Sequence, residues 1–161
     1  MSPAEIALYR SFFKADADYY ISQLEKYQSG KRTSFNATVF ANGLLWFLYR
    51  KLYKESLLII GLILLYMILH FTIILHYFSQ TTAVFIFLAF ITLLWTTMGF
   101  VVNRLYIRKA VAIVQKARQE TTDPPGIMRL VSQRGGVNLW AVILFLLMVV
   151  LAVSYSVYKI G

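Results

Sequence analysis

The sequence predicts an all-α integral membrane protein with three transmembrane helices and additional amphipathic or interfacial helices on the cytoplasmic side. Of its 161 residues, 59% are hydrophobic and only 14% are charged, whereas soluble domains average about 45–50% and 25%. Three stretches of about 20 residues lack Lys, Arg, Asp and Glu, and each could cross a hydrocarbon layer of roughly 30 Å as a helix. This composition disfavours a soluble enzyme. The absence of cysteine excludes a disulfide framework, a thiolate nucleophile and a cysteine-based zinc site.

The predicted spans divide the chain into alternating apolar and basic parts. We treat it as a single membrane domain, 1–161. Its parts are the cytoplasmic segment 1–56, the first span 57–78, the periplasmic hairpin loop 79–81, the second span 82–102, the cytoplasmic segment 103–137 and the third span 139–158. Eight of the 16 Lys and Arg residues fall in 1–56 and seven in 103–137. By the positive-inside rule, this indicates a multi-pass membrane protein with its N-terminus in the cytoplasm and its C-terminus on the opposite side.

The predicted cytoplasmic segments have helical patterns. A capping box, Ser2 to Glu5, predicts a helix that continues to about Gln28. Its apolar stripe needs a covering surface, which the inner leaflet, a partner or the helix after the second span could supply. A second helix, from about Asn36 to Lys54, is too short and polar for a span and is predicted to be interfacial or re-entrant. The stripe consists of Ile6, Tyr9, Phe13, Ala17, Tyr20, Leu24 and Tyr27.

The segment after the second span predicts a third amphipathic helix. It covers about Arg104 to Gln119, and the sequence TTDPPG at 121–126 should end it. Gly135 and Gly136 then predict a flexible turn into the third span.

An aromatic and basic cluster precedes the first span and is the main candidate site. It consists of Trp46, Tyr49, Arg50, Lys51 and Tyr53. Such residues are typical of the headgroup layer, so we interpret the cluster as an interfacial anchor, with contact to a partner or a lipid headgroup as the alternative. Under the anchoring interpretation the two cations act through position and charge, and exchanging them, Arg50→Lys with Lys51→Arg, should be tolerated.

The segment FNATVFANGLLWFLYRKLY at 35–53 resembles the FNxxxFxxGxxWxxYRKxY signature of domain-of-unknown-function family 2628, a family of small bacterial inner-membrane proteins. It departs from the family's pattern at Ala37, where Trp is usual, and at Leu44, where Pro is usual. The family has no established activity, so the resemblance implies a cellular location and not a reaction. Outside the cluster described above, the matching residues are Phe35, Asn36, Phe40 and Gly43, with Asn103 and Tyr106 similar to a second signature and Gly135 and Gly136 to a C-terminal Gly-Gly pair.

The titratable residues do not form a recognisable catalytic or metal-binding set. Two histidines, His70 and His76, lie six residues apart on the first span, so they point in different directions and cannot bind one metal ion from one face. We interpret His70 as a hydrogen-bonded packing residue. The seven carboxylates are scattered and none has the partners that a general acid or base needs. We therefore expect no catalytic residue, no metal and no cofactor.

The predicted function is that of a non-catalytic accessory or scaffold protein, which binds a partner through its cytoplasmic amphipathic helices. An immunity or defence protein against a membrane-targeting toxin is the first alternative, and a subunit of an oligomeric channel is the second. The expected partners are a bilayer with anionic headgroups and a membrane or cytoplasmic protein, with a second copy of the chain as one candidate. Nucleic acid is not expected, because the basic residues lie beside the spans and follow from topology.

Topology is directly testable with reporter fusions. A reporter active only in the periplasm should be active after residue 161 and silent after residue 119, because 15 of the 16 basic residues should stay in the cytoplasm. The opposite pattern of activities would contradict the predicted orientation.

Overall fold

The computed structural model describes residues 1–32 and 34–160, and within these ranges the chain is helical and contains no strand. The helices are α1 (Pro3–Phe13), α2 (Ala17–Gln28), α3 (Ala37–Asn42), α4 (Leu44–Tyr49), α5 (Tyr53–Leu69) with a π-helical turn (His70–Ile74) and a last turn α6 (Leu75–Tyr77), α7 (Gln80–Glu120), α8 (Pro124–Arg134) and α9 (Leu139–Ile160). The all-α prediction is confirmed for the described residues.

Three helical segments are long and apolar enough to cross a membrane. They are Tyr53–Tyr77, Gln80–Glu120 and Pro124–Lys159, with mean hydropathies of 2.7, 2.2 and 2.7 in their most apolar windows. The third segment comprises α8 and α9. Few residues of these windows are buried within the protein, as expected of helices whose apolar side chains face lipid. The chain therefore has the composition and helix lengths of a membrane protein.

The first two apolar helices form an antiparallel hairpin. The connection is Phe78 and Ser79, and the Ser79 hydroxyl accepts a hydrogen bond from the Thr82 amide at 3.2 Å, which caps the start of α7. Between the helices, the ring of Tyr66 stacks on that of Phe90 at 3.8 Å. The Tyr66 hydroxyl lies 3.2 Å from Nδ1 of His70, in the π-helical turn. The hydrogen-bonded packing role predicted for His70 is therefore present.

The remaining helices form a helical cap, defined here as α1, α2, α3, α4, α8 and the part of α7 after Val102. In the cap, α1, α2 and α8 pack against α7. Of the three surfaces that could cover the N-terminal stripe, the structure supplies the helix after the second span. The buried side chains include Phe12, Phe13, Tyr20, Leu24, Val39, Phe47, Tyr106, Ile107, Ala110, Val114 and Val131.

Two predicted helices are divided by residues with positive φ. The helix expected from Ser2 to Gln28 is α1 and α2, since Lys14 and Asp16 have φ of 53° and 57°. The helix expected from Asn36 to Lys54 comprises α3, α4 and the start of α5. Gly43, at φ 53°, separates the first two of these, and Lys51, at φ 58°, precedes the third. Residues in the left-handed region interrupt helical hydrogen bonding, and hydrophobic periodicity does not reveal them.

The predicted third amphipathic helix is not a separate element. Residues 104–119 continue the second apolar helix without a break, which makes α7 41 residues long. No glycine or proline occurs between Gly99 and the end of α7, so nothing in the local sequence interrupts the helix. The break expected at 121–126 is present, and Asp123 then caps α8 by accepting a hydrogen bond from the Gly126 amide at 2.9 Å.

A substitution at Gly135 tests the contact between the end of α8 and α1. A Cβ atom added there would lie 2.5 Å from the carbonyl oxygen of Phe12 and 2.7 Å from its Cα. Gly135→Ala should therefore lower the free energy of unfolding by about 1–3 kcal/mol through overpacking. Gly61→Ala is the matched control, because a Cβ at Gly61 meets nothing within 4 Å. Thermal unfolding in detergent, followed by tryptophan fluorescence, should separate the two variants, and equal midpoints would contradict this packing.

Candidate functional site: a buried arginine where the helices meet

Arg50 lies at the junction between the cap and the first apolar helix. α4 ends at Tyr49, and Arg50, Lys51 and Leu52 form the turn into α5. The side chain of Arg50 is only 1% exposed. Because a charged group is rarely buried without partners, its surroundings define the candidate site.

The guanidinium of Arg50 binds the connection between α1 and α2. Its Nη1 donates to the carbonyl oxygens of Phe13 at 3.1 Å and Ala15 at 2.9 Å. Its Nη2 donates to Oδ2 of Asp16 at 2.7 Å. The cation thus occupies the C-terminal end of α1, where carbonyl groups lack helical partners and the helix dipole is negative. The Arg50 side chain therefore stabilises the turn that separates α1 from α2.

Three tyrosine rings surround the same guanidinium. Its central carbon lies 4.7 Å from the ring centroid of Tyr20 and 5.5 Å from those of Tyr49 and Tyr106, within the range of cation–π attraction. Burial raises the pKa of Tyr106 to about 12 and also raises the pKa of Tyr20, while the charge of Arg50 acts in the opposite direction on both. Both phenols are therefore neutral at physiological pH.

Lys51 binds a different helix end from its neighbour. Its ammonium donates to the carbonyl oxygens of Gly135 at 2.7 Å and Gln133 at 3.4 Å, at the C-terminal end of α8. The Lys109 ammonium of α7 donates to the carbonyl oxygen of Lys51 at 2.5 Å. Desolvation lowers the pKa of both lysines; nearby Lys14 lowers that of Lys51 further, and for Lys109 Glu55 acts in the opposite direction. Two consecutive cations thus hold the ends of α1 and α8.

Two buried asparagines join the start of α3 to α7. The Asn36 side-chain amide donates to Oδ1 of Asn103 at 2.9 Å, and its own oxygen accepts from the Val39 amide at 3.2 Å. The Asn103 amide donates to the Tyr19 hydroxyl at 2.7 Å and to the Ser34 carbonyl at 2.8 Å. These bonds link α2, α3 and α7 at the point where α7 leaves the hairpin.

Most of the other residues similar to the family signature pack around these polar bonds, whereas Phe40 is largely exposed. Phe35 lies against Gly99 and, at 4.9 Å between centroids, against Phe100. Gly43 leaves room for the Trp95 ring, which would be 3.0 Å from an added Cβ. Tyr106 is fully buried, Gly135 and Gly136 lie against α1, and Phe40 is 47% exposed.

The predicted interfacial cluster was expected at a membrane surface, but in the structure it is largely packed against the protein. Trp46 is 4% exposed and packs on Tyr106, and Arg50 is buried as described. Tyr49 and Lys51 are half-buried, and Tyr53 is exposed. The cluster therefore turns largely into the protein, because the end of α1 offers carbonyl acceptors and a carboxylate that the apolar segment itself lacks.

Sequence reasoning missed the partners of Arg50, namely Phe13, Ala15, Asp16 and Tyr20. All lie at least 30 positions earlier in the chain, and the apolar spacing there fits one continuous helix. A weak local signal was available in Asp16, since aspartate tolerates the left-handed conformation better than most residues. Among residues 1–32 and 34–160, no cluster of three or more potential metal ligands occurs. The polar groups of the site mostly bind the protein's own main chain.

Comparison with known proteins identifies a family. The model of a family described as "Protein of unknown function (DUF2628)" matches residues 11–112. This range contains Arg50, the two asparagines and Tyr106. No curated protein and no solved structure matches the chain.

Exchanging arginine for lysine at position 50 tests the site. Lysine lacks the planar fork that reaches two carbonyls and a carboxylate together, so Arg50→Lys should lower the free energy of unfolding by about 3 kcal/mol or more. Asp16→Asn should cost less, about 1–3 kcal/mol, because the amide keeps an oxygen acceptor for Arg50 but removes the counter-charge of the buried guanidinium. Arg129→Lys is the matched control, since Arg129 is exposed and forms no ion pair among the described residues. Thermal unfolding in detergent measures all three, and an unchanged midpoint for Arg50→Lys would favour the anchoring interpretation.

Proposed function

Since the chain belongs to the DUF2628 family of proteins of unknown function, we propose its function from the arrangement of the cap and the apolar helices. The protein is a small, non-catalytic accessory protein of the bacterial inner membrane. Its N-terminus lies in the cytoplasm and its C-terminus in the periplasm. It holds the helical cap at the cytoplasmic surface and presents the outside of the cap to a protein partner.

The single observation that carries this proposal is the mutual burial of the amphipathic faces. Tyr9, Phe13, Tyr20 and Leu24 of the N-terminal stripe are each less than 9% exposed, so the stripe is not free for a partner. The surface offered to a partner is therefore the polar outer side of the cap. The proposed docking surface is thus the outer side of the cap and not the apolar faces of the amphipathic helices, as the sequence suggested. The proposed class of function, a non-catalytic accessory protein, is the same.

The net positive charge of the proposed cytoplasmic segments favours a partner with an acidic surface. The proposed cytoplasmic segments contain 15 Lys and Arg residues and all seven Asp and Glu residues, a net charge of +8. On α8, Arg129 is exposed and forms no ion pair within the described parts of the chain. Electrostatic complementarity of this kind increases association rate and selectivity.

Site-specific photo-crosslinking in cells tests the proposal. Met128, which is 36% exposed on α8, is replaced by p-benzoylphenylalanine, and the control carries the same group at Leu147 on α9. We expect a discrete adduct with another protein from position 128. A second substitution, Arg129→Glu, should reduce this adduct severalfold, whereas Lys159→Glu at the other end of the protein should not.

The outcomes distinguish the proposal from its alternatives. An adduct from position 128 that depends on Arg129 supports docking through the cap. An adduct with twice the mass of the chain would instead indicate a homo-oligomer. Adducts from position 147 alone would place the partner among the apolar helices and contradict docking through the cap.

A further inference from the structure

A groove with four cations is separate from the α8 surface just discussed, because none of its lining residues belongs to α8. It has a volume of about 650 Å³ and is formed by the end of α2, the turn that follows it, and the part of α7 around Val102. We call it the basic groove. Its cations are Lys31, Arg32, Arg104 and Arg108, and its other lining residues are Tyr27, Gly30, Phe100, Val101 and Leu105.

The four cations of the basic groove have no counter-charge among the residues that the structure describes. Within residues 1–32 and 34–160, none of them takes part in an ion pair or a side-chain hydrogen bond, and no carboxylate lines the groove. Four other arginines of the chain do pair with carboxylates. The groove is therefore a local concentration of uncompensated positive charge, which favours an anionic ligand.

The positions along α7 relate this charge to the membrane. Arg104 and Arg108 lie one helical turn apart on the same face, and Phe100 lies one turn before them. The preceding stretch, 82–102, contains no charged residue. At 1.5 Å per residue, the two arginines lie about 3 and 9 Å along the helix beyond Val102. A headgroup layer is roughly 5–8 Å thick in each leaflet, so both arginines start within or beside that layer.

The apolar part of the groove faces the predicted hydrocarbon. Phe100 is 61% exposed and Val101 is 40% exposed, on the span side of the arginines. A ligand that fits both parts has an anionic phosphate at the level of the arginines and a hydrocarbon chain beside Phe100. A soluble phosphate compound or an RNA would use the cations but leave the apolar wall unused.

We propose that the basic groove is a binding site for an anionic phospholipid, whose phosphodiester lies among Lys31, Arg32, Arg104 and Arg108 and whose acyl chain lies along Phe100 and Val101. This site is separate from the cluster around Arg50. It also does not depend on the protein partner proposed above.

Native mass spectrometry of the delipidated, full-length protein tests this site. The probe is phosphatidylglycerol, with zwitterionic phosphatidylcholine as the comparison lipid. Since each cation near an anionic surface contributes about fivefold in affinity, Arg104→Gln with Arg108→Gln should weaken phosphatidylglycerol binding about 25-fold. The matched control, Lys54→Gln with Lys116→Gln, removes the same charge from exposed positions outside the groove and should leave the Kd within about twofold of that of the unmodified protein.

A second variant and two competitors make the result decisive. Lys31→Gln with Arg32→Gln changes the turn after α2 and leaves α7 intact, so it tests the same site if the first variant fails to fold. Equal loss of binding in the groove and control variants would overturn the proposal, because bulk charge would then explain the affinity. Displacement of the lipid by millimolar glycerol phosphate or by a short RNA would also overturn it, in favour of a soluble anion or a nucleic acid.

Discussion

A guanidinium that is buried away from water persists in a folded protein only where acceptors and a counter-charge replace its hydration. For Arg50 these are the carbonyl oxygens of Phe13 and Ala15 and the carboxylate of Asp16. The turn between α1 and α2 exposes those acceptors, and the turn between α4 and α5 delivers the arginine. Without the other turn, the guanidinium of Arg50 or its acceptors would be unpaired, so the two turns stabilise each other. The assembly of the cap depends on this interaction.

The position of the cap relative to the apolar helices follows from the neighbouring polar bonds. Lys51 holds the end of α8, and Lys109 ties the main chain at Lys51 to α7. On the other side, Asn36 and Asn103 connect the start of α3 to the same helix. Since α7 is continuous from the hairpin into the cap, these bonds transmit the orientation of the second apolar helix to the whole cap. A surface of the cap, whether α8 or the basic groove, therefore has a fixed orientation toward the second apolar helix.

The sequence predicted the features that depend on composition over long windows and missed those that depend on single residues or distant partners. The three apolar helices and the short hairpin connection follow from lengths of uncharged chain, which hydropathy reports directly. The breaks at Lys14 and Asp16 were missed because the apolar stripe keeps its helical spacing across them. Arg50 was interpreted as an interfacial cation because aromatic residues adjoin it. Its acceptors lie more than 30 positions away, and only the tertiary structure shows that the α1 end is nearby.

The residues that resemble the family signature have structural explanations in this arrangement. Asn36 and Arg50 satisfy main-chain groups at helix ends, Asn103 donates to the main chain of the segment between α2 and α3, and Gly135 allows the chain to pass close to Phe12. The departures from the signature fit the same geometry. Leu44 is the first residue of α4, a position where proline is readily accommodated, and Ala37 is exposed at the start of α3, where a larger side chain is not excluded by burial. These signature residues therefore build the cap, and the proposed partner and lipid surfaces, α8 and the basic groove, lie outside the signature.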